Sequence, residues 1–257
     1  MRNKISMATL RGVSVCESID FALECGFDGI EIQYDYLPED AEEKSKVIEY
    51  AKEKGLCVSL HAPCGDINIS ALNKGILKES VRQIKDTIDL AEKHKLSVVT
   101  FHPGRLSSAR EVISDKWNVL LESVSEIASY AKNKKVYVAI ENMEQRKKEL
   151  VLSWEDLNRF NNIGNDNEYF GLTLDFSHFA TNEIYACDIG EINLPVYNVH
   201  LSQCMDDKPH LPLYEKGDVN IKDVLIYLDK INYLSNIVLE LKSIYDTDVY
   251  IKSREVI

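Results

Sequence analysis

No run of apolar residues in this 257-residue chain approaches the roughly 18 that a membrane span needs. The opening segment, Met1-Arg2-Asn3-Lys4-Ile5-Ser6-Met7, lacks the apolar core of a secretory signal. With both features missing, the expectation is a soluble cytoplasmic protein. The six cysteines, at positions 16, 25, 57, 64, 187 and 204, include no CxxC pair and no dense cluster. They read as reduced, mostly buried thiols, with Cys64 and Cys204 close enough to site candidates to line a pocket. Positive charge is scarce: 30 Lys and Arg stand against 42 Asp and Glu, a formal net charge of −12. Self-repulsion of that size favours solubility and counts against unsteered binding to nucleic acid. No glycine-rich phosphate loop comes after the first strand candidate, since Arg11-Gly12-Val13-Ser14 is not one, which disfavours a doubly wound open sheet. Low-complexity tracts, linkers and breaks in composition are also missing.

The composition is otherwise that of a globular protein, 45% hydrophobic and 28% charged. Short apolar runs alternate with longer segments of helical period. The runs are Gly29-Ile30-Glu31-Ile32, Cys57-Val58-Ser59-Leu60, Val98-Val99-Thr100-Phe101 and Val136-Tyr137-Val138-Ala139-Ile140. Later come Leu172-Thr173-Leu174, Val196-Tyr197-Asn198-Val199 and Ile237-Val238-Leu239, with Ile5-Ser6-Met7 a weaker first member. Their length and bulky residues suit strands buried on both faces. Between them, Leu77, Val81, Ile84, Ile88 and Ala91 keep helical spacing, as do Trp117, Leu120, Val124, Ile127 and Ala131. Helix ends are marked at Lys52-Glu53-Lys54-Gly55 and Lys132-Asn133-Lys134-Lys135. Eight strands alternating with helices predict a single (β/α)8 TIM barrel over residues 1–257, close to the roughly 250 residues such a barrel requires.

The informative residues stand at the C-terminal end of each run. Leu60 is followed by His61, Phe101 by His102, Ile140 by Glu141, Leu174 by Asp175, Val199 by His200 and Leu239 by Glu240. In a (β/α)8 barrel those strand ends converge on one mouth, where active sites of this fold sit. Carboxylates crowded there would raise each other's pKa unless a cation relieved them. Mixed imidazole and carboxylate donors suit Mn, Zn, Co or Fe rather than Ca. His178 lies three residues past Asp175, and His210 sits in a long loop after the seventh strand; each is either a ligand or substrate contact or a surface residue. His94, in Glu92-Lys93-His94-Lys95, reads as a solvated helix end. Arg105, after His102-Pro103-Gly104, could hold a phosphate or carboxylate or lie on the surface. Lys242, two residues past Glu240, faces the same side if the strand continues.

The ordered set His61-Ala62-Pro63, His102-Pro103-Gly104, Glu141-Asn142, Asp175-Phe176-Ser177-His178, His200-Leu201 and Glu240 resembles the xylose isomerase-like TIM-barrel superfamily over nearly the whole chain. That group includes sugar and sugar-phosphate isomerases and epimerases, and also endonuclease IV. In the epimerase branch, the resemblance implies a metal held by Glu141, Asp175, His200 and Glu240. Glu141 and Glu240 would then be the acid/base pair that moves a proton through an enediolate, stabilised by a Lewis acid on the adjacent oxygen. In the endonuclease branch it implies up to three zinc ions, held by those four with His61, His102, His178 and His210. That branch has an Asp where this chain has Lys208, with Asp207 one position away, so one ligand of the third ion is missing. After HAP it also carries a wedge that enters DNA, where this chain has Cys64-Gly65-Asp66, residues unsuited to a base stack or to phosphate. His210-Leu211-Pro212-Leu213 with Gly217-Asp218-Val219-Asn220 resembles a loop of the sugar-isomerase members, apart from Tyr214-Glu215-Lys216.

The sequence therefore predicts a divalent-metal-dependent isomerase or epimerase of a sugar or sugar phosphate, using one to three Mn or Zn ions. His61 and His102 would share a second metal with Glu141 or contact substrate oxygens. His178, His210, Arg105 and Lys242 are the substrate-binding candidates. The alternatives are a metal-dependent phosphodiesterase acting on abasic DNA and a barrel that binds metal without turnover. Nucleic acid and membrane are not expected partners, and homo-oligomerisation is left open.

Overall fold

The computed structural model describes residues 3–108, 110–242 and 245–257. All eight apolar runs form strands: β1 (Lys4–Ala8), β2 (Gly29–Gln33), β3 (Cys57–His61), β4 (Val99–Phe101), β5 (Val138–Glu141), β6 (Phe170–Asp175) and β7 (Val196–Leu201), and, after a hairpin made by β8 (Gln203–Met205) and β9 (Lys208–Leu211), β10 (Asn236–Leu239). Eight of them close a parallel barrel in the order β1-β10-β7-β6-β5-β4-β3-β2. Closure comes from the first and last strands, paired from Lys4 opposite Asn236 to Met7 opposite Leu239. A parallel strand needs a crossover, and helices supply it while covering the outer face of the sheet.

Those helices start and stop where local chemistry dictates. Lys74–His94 is capped by the Asn73 side chain, which accepts from Gly75 and Ile76 N–H, and it buries Val81, Ile84, Ile88 and Ala91. Ile113–Lys134 buries Trp117, Leu120, Val124, Ile127 and Ala131. Both end on a lysine in the left-handed region, Lys95 at φ 54° and Lys135 at φ 57°. No helix among the described residues is long and apolar enough to cross a membrane.

Inside the barrel, beneath the mouth, the filling is polar where aliphatic layers are usual. Glu31, Ser59, Thr100, Thr173 and Asn198 are all buried there. They bond to one another: Asn198 Nδ2 donates to Glu31 Oε2 at 2.7 Å and to Thr100 Oγ1 at 3.0 Å, and Thr100 pairs with Thr173 at 2.9 Å. A buried polar layer is tolerated only when its groups find partners of this kind.

Three expectations are corrected. His94 is not a solvated helix end. It is buried, with Nδ1 2.6 Å from Glu49 Oε1 and Nε2 3.2 Å from Ser45 Oγ. The cysteines are all free but not mostly buried: only Cys25 and Cys204 are, while Cys16 and Cys187 are exposed. The stretch after the seventh strand is not a plain loop, because β8 and β9 form an antiparallel hairpin that carries His210.

Candidate active site

Strand register brings the site together. His61, Glu141 and Asp175 are the last residues of β3, β5 and β6; His200 is the last but one of β7; His102 and Glu240 directly succeed β4 and β10. Asp175 stands opposite His200 across the β6–β7 pair. One ligand atom each from Glu141, Asp175, His200 and Glu240 lies within 4.8 Å of the others. Two further groups meet the same limit: His61 with His102 and Glu141, and Asp175 with His178 and His210. Glu141 thus serves the first two groups and Asp175 joins the first to the third.

Several of these side chains are held by a partner behind them. Asn142 clamps the ends of β5 and β6, donating to the Asp175 carbonyl and accepting from its N–H, both at 2.8 Å. Asp175 Oδ1 accepts from Ser177 Oγ and from His178 N–H at 2.8 Å, capping the short helix Phe176–Thr181. His178 Nδ1 lies 2.9 Å from the Asn142 carbonyl, His210 Nδ1 3.2 Å from that of Glu240, and His61 Nδ1 2.8 Å from that of Ala62. A ring nitrogen facing a carbonyl must donate, so the Nε2 of each neutral ring is a bare lone pair.

In one pair both lone pairs face each other, and in a second the His61 lone pair faces the His102 ring. Nε2 of His178 and His210 are 3.3 Å apart, and Nε2 of His61 and His102 are 3.2 Å apart. Two bare acceptors at that distance repel unless a cation stands with them. Three carboxylate oxygens, Glu141 Oε2, Asp175 Oδ2 and Glu240 Oε2, are likewise buried without a directed hydrogen bond. The donor set of imidazole and carboxylate therefore fits a divalent cation.

Electrostatics agree with the geometry. Burial alone would raise the Glu141 carboxyl, but His200, His102 and His61 hold it well below the usual carboxylate range. Glu240 is depressed against the same burial by His210 and His200. Burial disfavours charge on His61, yet the Glu141 carboxylate outweighs it and pushes the imidazole up to about 9. His200 is raised in the same way by Glu141, Glu31 and Glu240.

The mouth opens into a cavity of about 610 Å³ lined by His61, His102, His178, His210 and Glu240. Arg105 and Lys242 both line it. The expected continuation of the last strand does not occur: β10 stops at Leu239, and Lys242 is placed by its own N–H, which donates to the His210 carbonyl at 2.7 Å. Cys64 lines the cavity, whereas Cys204 is fully buried and is not part of its wall. Sequence reasoning passes over Glu31, Arg11, Arg146 and Glu149, which also line it. For Glu31 a signal exists, a carboxylate in the middle of an apolar strand. The arginines carry none, because they lie in loops whose course only the fold reveals.

Comparison with known proteins points the same way. The profile of the family described as xylose isomerase-like TIM barrel matches residues 19–257. Two uncharacterized proteins of Methanocaldococcus jannaschii are similar: one is 25% identical over 174 residues, 66% of this chain and 63% of its own length, so the match spans less than two thirds of that relative. The other is 28% identical over 207 residues, 78% of this chain and 68% of its own length. Among solved structures, a D-tagatose 3-epimerase-like protein superposes with a TM-score of 0.85 at 25% identity, covering 98% of this chain and 95% of that one. D-psicose 3-epimerase from Clostridium cellulolyticum H10, with D-tagatose, gives 0.80 at 16% identity over 98% and 96% of the two chains. The IOLI protein with a bound zinc atom gives 0.80 at 17% identity over 98% and 95%.

Proposed function

The chain belongs to the xylose isomerase-like TIM barrel family, and from that premise we propose that it is a divalent-metal-dependent isomerase or epimerase of a sugar or sugar phosphate. The carrying observation is the pair Glu141 and Glu240, whose oxygens Oε1 and Oε2 lie 3.0 and 2.8 Å from the same His200 Nδ1, with Glu240 in the wall of the cavity. Glu141, Asp175, His200 and Glu240 would hold the ion, Mn or Zn. When bound, it supplies Lewis-acid polarisation of a substrate carbonyl.

The remaining work falls to side chains. A C–H beside a carbonyl is weakly acidic, and one depressed carboxylate of the pair can take its proton while the other returns one to the opposite face. His61 and His102 meet substrate oxygens at the mouth, or hold a second ion with Glu141. Arg105 and Lys242 offer positive charge to a phosphate or to hydroxyls. The epimerases among the structural neighbours support this reading.

The two opposed histidine pairs favour a second reading, a metal-dependent phosphodiesterase with up to three ions. Against it stands the loop after His61, whose Cys64 and Gly65 N–H groups both donate to Asp35 Oδ2, at 3.1 and 3.2 Å. A loop folded onto its own chain offers no wedge to a base stack.

The test is solvent exchange. With Mn or Zn supplied and metal content measured in the same sample, a panel of ketoses and ketose phosphates should take up deuterium from D2O at the carbon beside the carbonyl. Glu141→Gln and Glu240→Gln should each slow this by about 100-fold or more. No exchange with any sugar, together with two or three tightly held zinc ions and incision of an abasic duplex lost in Glu141→Gln, would move the assignment to the phosphodiesterase.

A further inference from the structure

Glu31 has no place in any of the three ligand groups, yet it is one of the most buried carboxylates in the molecule, 2% exposed in the middle of β2. A carboxylate in such a place is costly unless it is matched by donors. Here the match is close to complete. Oε2 accepts from Ser59 Oγ at 3.1 Å and from Asn198 Nδ2 at 2.7 Å, and Oε1 lies 2.8 Å from His200 Nε2. The far side of the same ring, Nδ1, faces Glu141 and Glu240.

We propose that Glu31 is the positioning residue of the metal centre: it takes the His200 Nε2–H and so leaves Nδ1 as the lone pair that binds the ion. This rests on the metal reading above and deepens it. His200 is neutral when it ligates, so one ring nitrogen keeps a proton. With that proton on Nδ1, the ring would donate to Glu141 or Glu240 and bar the ion. Glu31 makes the other tautomer the favoured one, because only a donor satisfies its buried oxygen. Its negative charge also makes the ring a stronger ligand, the usual effect of a carboxylate behind a metal-bound imidazole. Ser59 and Asn198 keep the carboxylate from turning, and Asn198 is tied in turn to Thr100. The polar layer beneath the mouth is the support of this one contact.

Two measurements test it, with Zn2+ alone as the probe. Chelator competition should show a Glu31→Gln protein that is folded by circular dichroism binding Zn2+ about 10- to 100-fold more weakly than the wild type. The 15N spectrum of histidine-labelled, zinc-loaded wild type should show His200 protonated at Nε2 and ligated through Nδ1, a readout that needs no variant to fold. Ligation through Nε2, or unchanged affinity in a folded Glu31→Gln, would overturn the role of Glu31 and leave the metal site standing. A wild type that binds no Zn2+ at all would overturn both.

Discussion

At the scale of single residues, His61 and Glu141 show how the site couples to pH. The imidazole is raised from 6.5 to about 9 in the folded chain, and the Glu141 carboxyl is lowered. A raised histidine contributes stability that is fully present below its unfolded value and lost as pH climbs through the folded one. For His61 that window is about 6.5 to 9, and the loss is of the order of 3 kcal/mol. The depressed Glu141 acts at the other end, its contribution vanishing as pH falls below the ordinary carboxylate range. The thermal midpoint of the metal-free protein should therefore drop between pH 6.5 and 9, measured by calorimetry with a chelator present. Zinc should flatten that slope, because a cation then occupies the lone pair that the proton held. A metal-free profile already flat across this window would argue against the His61–Glu141 pairing. Single residues are legible in the sequence where strand register repeats, so that His61, Glu141 and Asp175 announce themselves as the ends of apolar runs. His94 misleads because Lys93 and Lys95 beside it suggest solvent. It lies three residues past the buried Ala91, on the same helical face, and packs on Glu49 and Ser45 of the preceding helix.

At the scale of elements, the β6–β7 pair carries the strictest geometry, since it sets Asp175 against His200. It contains an irregularity between Leu172 and Thr173, and Gly171 just before it packs closely against Pro195 and Tyr197 at the start of β7. A Cβ on Gly171 would lie 2.4 Å from the Pro195 carbonyl oxygen and 2.7 Å from the Tyr197 ring. The first obstacle is backbone, which cannot swing aside. Gly171→Ala should cost about 1–3 kcal/mol in urea unfolding, as overpacking does, and should weaken metal binding by shifting β7. Full stability and wild-type affinity would mean that the strands absorb the methyl without moving their ends. Periodicity reveals the eight barrel strands and the long helices. It does not reveal the β8–β9 hairpin, whose turn is Asp206-Asp207 at φ 53° and 58°, with Met205 opposite Lys208. Two left-handed residues joining two strands is a primed hairpin turn, but the pair Asp-Asp is a weaker signal for it than Asn-Gly. The hairpin settles where His210 sits, which the sequence leaves undecided.

At the scale of the whole molecule, charge and topology pull the reading in one direction. The chain carries −12 overall, whereas duplex binding needs a surface that neutralises phosphates in rows. Retention on abasic duplex at micromolar protein should be undetectable at about 50 mM salt, and an absence of any salt-dependent component is the expected result. Strong binding that weakens steeply with salt would show a basic track that the net charge conceals. The barrel itself is legible because eight apolar runs alternate with helical segments across the chain. The shape of the cavity is not, because Arg11, Arg105 and the pair Arg146 and Glu149 reach it from three loops, those after β1, β4 and β5.

Barrel closure has a consequence for biosynthesis. The quartet spans β5, β6, β7 and β10, and its last member, Glu240, stands next to the strand that pairs with β1. Glu31 touches Asn198 across 167 residues of chain. A ribosome releasing this polypeptide from its N-terminal side presents Glu31, His61 and His102 before Asn198, His200 and Glu240 have been made. The complete centre appears only when the final strand has emerged and joined the first. A partly made chain thus lacks the full quartet, and an ion that needed all four donors would find them only in a finished molecule.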